Sequence, residues 1–363
     1  MLRRIIPTLI EDYGSNSIVK RSDRLLKAVA TFNRAVVITH NYPDPDAMAS
    51  AWGLKILIES KILVPCRVLA GGSILRAENL KFLELLEPPL ELVETYAPTS
   101  DEALIFVDCQ PGNGNHLLSN QSIKAAAVID HHPPAQAKPR SLFRDVRSGV
   151  ASCSTLVTAY LLEQSIHPKA KLSTALFLGV SSDIARQPIL TPIDQRAVRG
   201  LAKEIDFNLA IKIQNAPYPR TLYQRFHDAL ESTQLIGGTA VCLATKADSP
   251  AGMAGLADIL IRCDEVHAVL LVARIGNDCF ITVRGRSQDR HAGELAEALT
   301  RAMGSGGGHA DRAAGKITIT AERGVEEIQA ELLRRWRVIL DLGAIGAVPF
   351  LDASQNSQNQ FGR

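Results

Sequence analysis

The chain has 363 residues, 46% hydrophobic and 21% charged, which leaves material for two buried cores and too little charge for wholesale disorder. Its 40 basic and 38 acidic residues give a net charge of +2, short of the basic excess of a protein that coats long nucleic acid. No uncharged apolar stretch reaches about 18 residues, so a membrane-spanning helix is not expected.

The first residues, MLRRIIPTLI, run from basic to apolar, but the apolar run is too short for a signal peptide and lacks a small-residue cleavage site. A helix is expected over 23–33, and the β-branched run Ala35–Thr39 then reads as a buried strand. Two more such runs follow, Ala103–Val107 and Ala125–Ile129, with helices at about 46–59, 76–86, 152–164 and 171–183. Strands alternating with helices predict a parallel α/β sheet over 23–205. The stretch 206–232 contains NLAIKIQNAPYPRT, polar and Pro-containing, and reads as a linker. Beyond it, strands at Gly238–Thr245, His267–Ile275 and Cys279–Val283 alternate with helices near 252–262, 291–302 and 324–339. That makes a smaller α/β domain over 233–345. The tail 346–363, ending SQNSQNQFGR, has little to bury and reads as disordered. The six cysteines form no C-x-x-C pair, which speaks against a disulfide framework or a zinc knuckle and for a reduced, cytoplasmic protein.

Each first-domain strand ends in acids or histidines: His40, Asp44 and Asp46 after the first, Asp108 after the second, Asp130-His131-His132 after the third. Asp183 follows an apolar helix. Ligands bind at the carboxyl ends of the strands in an open parallel sheet, so these residues converge on one crevice. Carboxylates with some imidazole suit Mn²⁺ or Mg²⁺, and such a set can hold two ions in the arrangement that serves phosphoryl chemistry. Taken singly, each motif has a plain reading. Asp and Pro after a strand are turn formers, Asp108 could cap a helix, and a His-His pair could lie in a surface loop. Their joint placement after three buried-type strands favours the site.

In the second domain, the run Gly304–His309 is no helix, and its glycines free backbone N–H groups for an anion. Arg284 and Arg286 stand two apart on a strand and share one face, which with the glycines would form a phosphate clamp; otherwise they belong to a solvated face. Trp52 and Trp336 read as packing residues, and Ser152, Ser154 and Thr155 as helix caps.

The order of these motifs resembles the DHH phosphoesterase superfamily. Motif I, H-x-x-x-D-x-D-A, stands as His40-x-x-x-Asp44-x-Asp46-Ala47, with Pro45 where glycine is frequent. Motif II is Asp108, motif III is Asp130-His131-His132, and motif IV is Asp183 in G-V-S-S-D, followed by Ile184 instead of the usual Thr. The second domain resembles DHHA1, whose signature appears as Gly306-Gly307-Gly308-His309 through Ala313-Ala314-Gly315, one residue longer than usual. In size and motif order the chain is similar to the bacterial nanoRNase/pAp-phosphatase (oligoribonuclease) branch.

The resemblance implies a DHH catalytic domain joined by a linker to a DHHA1 substrate domain, with the active site in the cleft between them. It implies two Mn²⁺ ions, with Mg²⁺ as a substitute. His40 and Asp44 would hold one ion, Asp46, His131 and Asp183 the other, and Asp108 would bridge. Asp130 and His132 would handle protons beside the nucleophile. Arg284, Arg286, Gly306, Gly307, Gly308 and His309 would bind substrate. The expected reaction is hydrolysis of terminal phosphodiester or phosphomonoester bonds in short single-stranded RNA or small nucleotides such as pAp, as by a 3′-5′ exoribonuclease or nucleotide phosphatase. Cyclic or linear dinucleotides and polyphosphate are alternative substrates, and a non-catalytic nucleotide- or RNA-binding module is the alternative of another class. No membrane or long duplex is expected as partner, and a homodimer is open.

Overall fold

The computed structural model describes residues 20–119, 121–133, 140–184, 190–244, 247, 250–286, 291–308 and 310–351. It divides into two compact units, Met1–Ala216 and Pro217–Arg363.

The first unit runs α1 (Arg21–Val29), β1 (Arg34–Ile38), α2 (Pro45–Ile62), β2 (Cys66–Ala70), α3 (Ala77–Leu86), β3 (Leu90–Leu92), β4 (Glu102–Val107), β5 (Ala125–Asp130), β6 (Ser141–Val146), α4 (Cys153–Glu163), α5 (Ala170–Ile184), α6 (Pro192–Leu201) and α7 (Phe207–Gln214). Its strands form one sheet in the order β3-β2-β1-β4-β5-β6, and every neighbouring pair is parallel. The expected parallel α/β domain is present. All six residues of β4 and of β5 are buried, because apolar side chains cover both faces of the sheet. Such strands are continuous apolar runs, and this made them legible. The strands β2, β3 and β6 mix apolar with charged residues, as in Arg67, Glu91 and Arg144, which hid them.

Helix α2 begins one residue earlier than its apolar pattern suggests. Asp44 is its N-cap and accepts the amides of Asp46 and Ala47 at 3.0 and 3.1 Å, with Pro45 in the first turn. Asp46 therefore stands on the helix and not in a Pro-stiffened loop. Helix α5 passes close beside it: a Cβ at Gly179 would come within 3.0 Å of the Asp46 Cα. Ser152 caps α4 by accepting the Thr155 amide, and Trp52 packs against the first unit's core.

The second unit runs α8 (Arg220–Ser232), β7 (Thr233–Ile236), β8 (Thr239–Ala244), α9 (Pro250–Leu260), β9 (Ala268–Ile275), β10 (Asp278–Gly285), α10 (Ala292–Thr300), β11 (Gly304–Gly308), β12 (Arg312–Thr318), α11 (Val325–Ile339) and β13 (Val348–Pro349). The sheet order is β11-β12-β10-β9-β8-β7-β13, antiparallel except for β8 with β9. Trp336 is fully buried, and its indole N–H donates to the Thr239 hydroxyl at 3.1 Å. The stretch expected as a linker carries α7 and α8. Of the expected disordered tail, residues 348–349 pair with β7 as β13, and 352–363 lie outside the described residues. No helix among the described residues is long and apolar enough to cross a membrane.

Candidate metal centre

The order of the first sheet reverses between β1 and β4, and a crevice opens at the carboxyl ends of strands at such a point. His40 follows β1, Asp108 follows β4, and Asp130 ends β5 with His131 and His132 behind it. Asp108 has a positive φ of 58°, a conformation that Asp tolerates better than most residues. Its amide still donates to the Ile129 carbonyl at 3.0 Å, so the turn carrying it is tied to β5.

Asp108 stands at the middle of the cluster. Its Oδ2 lies 3.4 Å from His40 Nε2, while its Oδ1 lies 3.5 Å from His131 Nε2 and 3.5 Å from His132 Nδ1. Asp44 is 3.9 Å from His40 Nε2, and Asp46 is 3.9 Å from His131 Nε2. Three donor groups result: His40, Asp44 and Asp108; Asp108, His131 and His132; Asp46, Asp108 and Cys153. Asp108 belongs to all three, its two oxygens facing different sides. Separations of 3.4–3.9 Å are long for hydrogen bonds but leave room for a cation between the donors. The donor set fits divalent ions of the Mn²⁺ or Mg²⁺ class, and one carboxylate facing both sides fits a pair of them.

The candidate donors are held from behind. His40 Nδ1 donates to the Asn41 carbonyl at 2.9 Å, so Nε2 faces the acids. Both Asp46 oxygens accept amides from the first turn of α4, Cys153 N at 2.8 Å and Ser154 N at 2.7 Å. The positive end of that helix thus neutralises a carboxylate with no exposed surface. Burial alone would push His40 down and the carboxyls up. The mutual contacts outweigh it. His40 is raised by Asp108 and Asp44, Asp44 falls to about 2 beside His40, and Asp108 falls well below the carboxylate range between His131 and His40.

Asp130 and His132 form a close pair. His132 Nδ1 donates to Asp130 Oδ1 at 2.8 Å, and the same oxygen accepts the amides of His131 and His132. Burial opposes charge on both, yet each favours charge on the other: Asp130 is lowered and His132 raised. Asp130 Oδ2 accepts from the amide nitrogen of Gln110 at 2.7 Å. Gln110, Cys153 and the α4 amides do not stand out in the sequence: Cys153 reads as one of several scattered thiols, and Ser154 as a cap. The available signal was position, since Gln110 follows Asp108 by two and α4 begins where the next βα connection should end.

The backbone of Asp183 lies in the last turn of α5, but its side chain lies outside the described residues, as does His309. In the second unit Arg284 and Arg286 do not act alike. Arg284 is buried, donates to Asp258 at 2.6 Å and to the Val283 carbonyl at 3.0 Å, and so ties β10 to α9. Arg286 is exposed and donates to the Asp264 carbonyl at 3.0 Å. The run Gly304–Gly308 forms not a loop but β11, an edge strand paired with β12. Gly306 is small because α10 crosses close by: a Cβ there would come within 2.6 Å of the Ala296 carbonyl oxygen, while at Gly304 and Gly308 a Cβ would meet β12. As an edge strand, β11 still turns unpaired backbone groups outward.

Residues 34–180 match the DHH family, N-terminal domain, and residues 238–336 match the DHHA1 domain. Over 300 residues, 81% of this chain, it is 28% identical to the uncharacterized protein MJ1633 of Methanocaldococcus jannaschii. Over 214 residues, 53% of this chain, it is 24% identical to the probable bifunctional oligoribonuclease and PAP phosphatase NrnA of Streptococcus mutans. The matches span 60% and 61% of those two relatives. The fold is similar to that of an exopolyphosphatase-related protein from Bacteroides fragilis, with a TM-score of 0.69 at 14% identity, covering 90% of this chain and all of that one.

Proposed function

Because this chain belongs to the DHH family and carries a DHHA1 domain, we propose that it is a metal-dependent phosphoesterase acting on the terminal phosphate bonds of short oligoribonucleotides or small nucleotides such as pAp. Members of the family are divalent-metal-dependent phosphoesterases. The observation that carries the reading is Asp108, shared by three donor groups with its two oxygens facing His40 on one side and His131 on the other. A binding module without catalysis has no use for that arrangement or for the Asp130–His132 pair beside it.

His40 and Asp44 would hold one ion, Asp46 and His131 the other, with Asp108 between them; Asp183 is proposed from its motif alone. When bound, Mn²⁺ or Mg²⁺ activates water and neutralises charge on the phosphoryl group. The α4 amides keep Asp46 aimed. Asp130 fixes the Nδ1–H tautomer of His132, so Nε2 can take up or give a proton at the reacting phosphate. Arg286, with the outward backbone of Gly306, Gly307 and Gly308 and with His309, is proposed to hold substrate phosphates; Arg284 supports them from within the fold. S. mutans NrnA, named for oligoribonuclease and PAP phosphatase activity, supports this substrate class.

The test is a panel with Mn²⁺: dinucleotides, pAp, cyclic dinucleotides and polyphosphate. Fastest turnover of dinucleotides or pAp is expected. Polyphosphate or a cyclic dinucleotide as the best substrate would replace the proposed class, and hydrolysis of none would contradict the enzymatic reading.

A further inference from the structure

A buried polar line runs from the metal centre into the edge of the sheet. On β6, Arg144 pairs with Val128 of β5. Asp130 lies two residues beyond Val128, so Arg144 and Asp130 share one face of the sheet. Gln110, with no exposed surface, stands between them. Its Oε1 accepts from Arg144 Nη2 at 2.6 Å, and its Nε2 donates to Asp130 Oδ2 at 2.7 Å and to the Pro133 carbonyl at 3.0 Å. Asp130 Oδ1 in turn holds His132 Nδ1 at 2.8 Å.

The line has a fixed sense. A guanidinium only donates, so the Gln110 oxygen must face Arg144 and its NH₂ must face the carboxylate. With both Asp130 oxygens so occupied, the carboxylate cannot rotate about its axis without breaking one set. Arg144 has a further nitrogen, Nη1, that is buried without a hydrogen-bond partner. A guanidinium with one buried N–H unmade is costly to keep for packing alone. An apolar chain of similar length would fill the space on β6 without that cost.

We propose that Arg144 is a positioning residue: acting through Gln110 and Asp130, it fixes the orientation of His132 in the phosphoesterase site. The proposal rests on the reading of His132 given above for catalysis, but the hydrogen-bond line itself can be examined without turnover. The bonds of Gln110 and Arg144 given above run to Asp130, to Pro133 and to each other, so Mn²⁺ binding is expected to survive either change.

The test uses the full chain. First, ¹⁵N-histidine-labelled, Mg²⁺-loaded protein is examined for the protected Nδ1–H resonance of His132, assigned by its loss in His132→Ala. Arg144→Met, which keeps an unbranched stem, should shift this resonance and speed its exchange with water; Gln110→Leu, which breaks the line at its middle, should do the same. Second, kcat on a dinucleotide with Mn²⁺ is measured for Arg144→Met, His132→Ala and the double variant. Arg144→Met should lower kcat about 10- to 100-fold, part of the acid–base contribution, with KM and Mn²⁺ stoichiometry unchanged. In the His132→Ala background it should cost nothing further. An unmoved resonance in both line variants, or an equal kcat loss from Arg144→Met in both backgrounds, would overturn the proposal. A moved resonance in a protein that hydrolyses none of the panel would uphold the line and reject the phosphoesterase reading instead.

Discussion

The carboxylate of Asp46, on the first turn of α2, accepts the backbone amide of Ser154, on the first turn of α4, at 2.7 Å. With the Cys153 amide at 2.8 Å on its other oxygen, one side chain both faces the metal site and closes the N-terminus of a buried helix. A candidate metal donor and a helix end are joined in a single group.

It follows that Asp46→Ala should destabilise the protein even when no metal is present. Two amides lose their acceptor, at roughly 1–3 kcal/mol each, and relief of repulsion with Asp108 offsets part of that. A net loss of roughly 2–4 kcal/mol is expected in urea unfolding of EDTA-treated protein. A more stable variant would show that carboxylate repulsion outweighs the cap.

The adjacent histidines should separate by mutation. His131 Nε2 faces Asp46 and Asp108, whereas His132 Nδ1 is held by Asp130. His131→Ala should lose bound metal. His132→Ala should keep it and lower kcat by about 10²-fold or more. Metal analysis beside steady-state kinetics reads both, and equal metal loss in the two variants would contradict the assignment.

The two arginines of the second unit should separate as well. Arg284→Ala breaks the buried bond to Asp258, and because Asp258 is exposed enough to be rehydrated the cost should be roughly 1–3 kcal/mol of stability. Arg286→Ala should leave the melting temperature in place. Its loss of a charge-assisted phosphate contact should lower kcat/KM on a dinucleotide about 10- to 150-fold. Hydrolysis of bis-p-nitrophenyl phosphate, which needs only the metal centre, should stay near normal. Equal loss on both substrates would remove Arg286 from substrate binding.

Much of the first unit was legible because β1, β4 and β5 are buried on both faces and announce themselves as short apolar runs. The donors follow those runs at once, so the sequence pattern alone puts Asp108 and the Asp130–His132 stretch at one edge. What escaped depends on tertiary contact. Gln110 and Arg144 have no local pattern, and only the pairing of Val128 with Arg144 brings them together. The glycine-rich run 304–308 suggests a loop because glycine is a poor strand former; here α10 leaves no room for a side chain at Gly306, and β12 none at Gly304 or Gly308. Arg284 and Arg286 look equivalent by spacing, yet only Arg284 meets α9. Helix α7 is short and α8 buries no residue, and the Pro-containing segment between them, with Pro217 and Pro219, mimics a linker.

Whether Asp108 organises a two-ion phosphoesterase is read from dinucleotide turnover as Mn²⁺ is titrated back into EDTA-stripped protein, wild type beside Asp108→Ala. No turnover in the stripped protein is expected, then activity that rises until two ions are bound per chain, with Asp108→Ala lower by at least about 10³-fold because it removes a ligand from both ions. Full activity in the stripped protein, or in Asp108→Ala, would contradict the account.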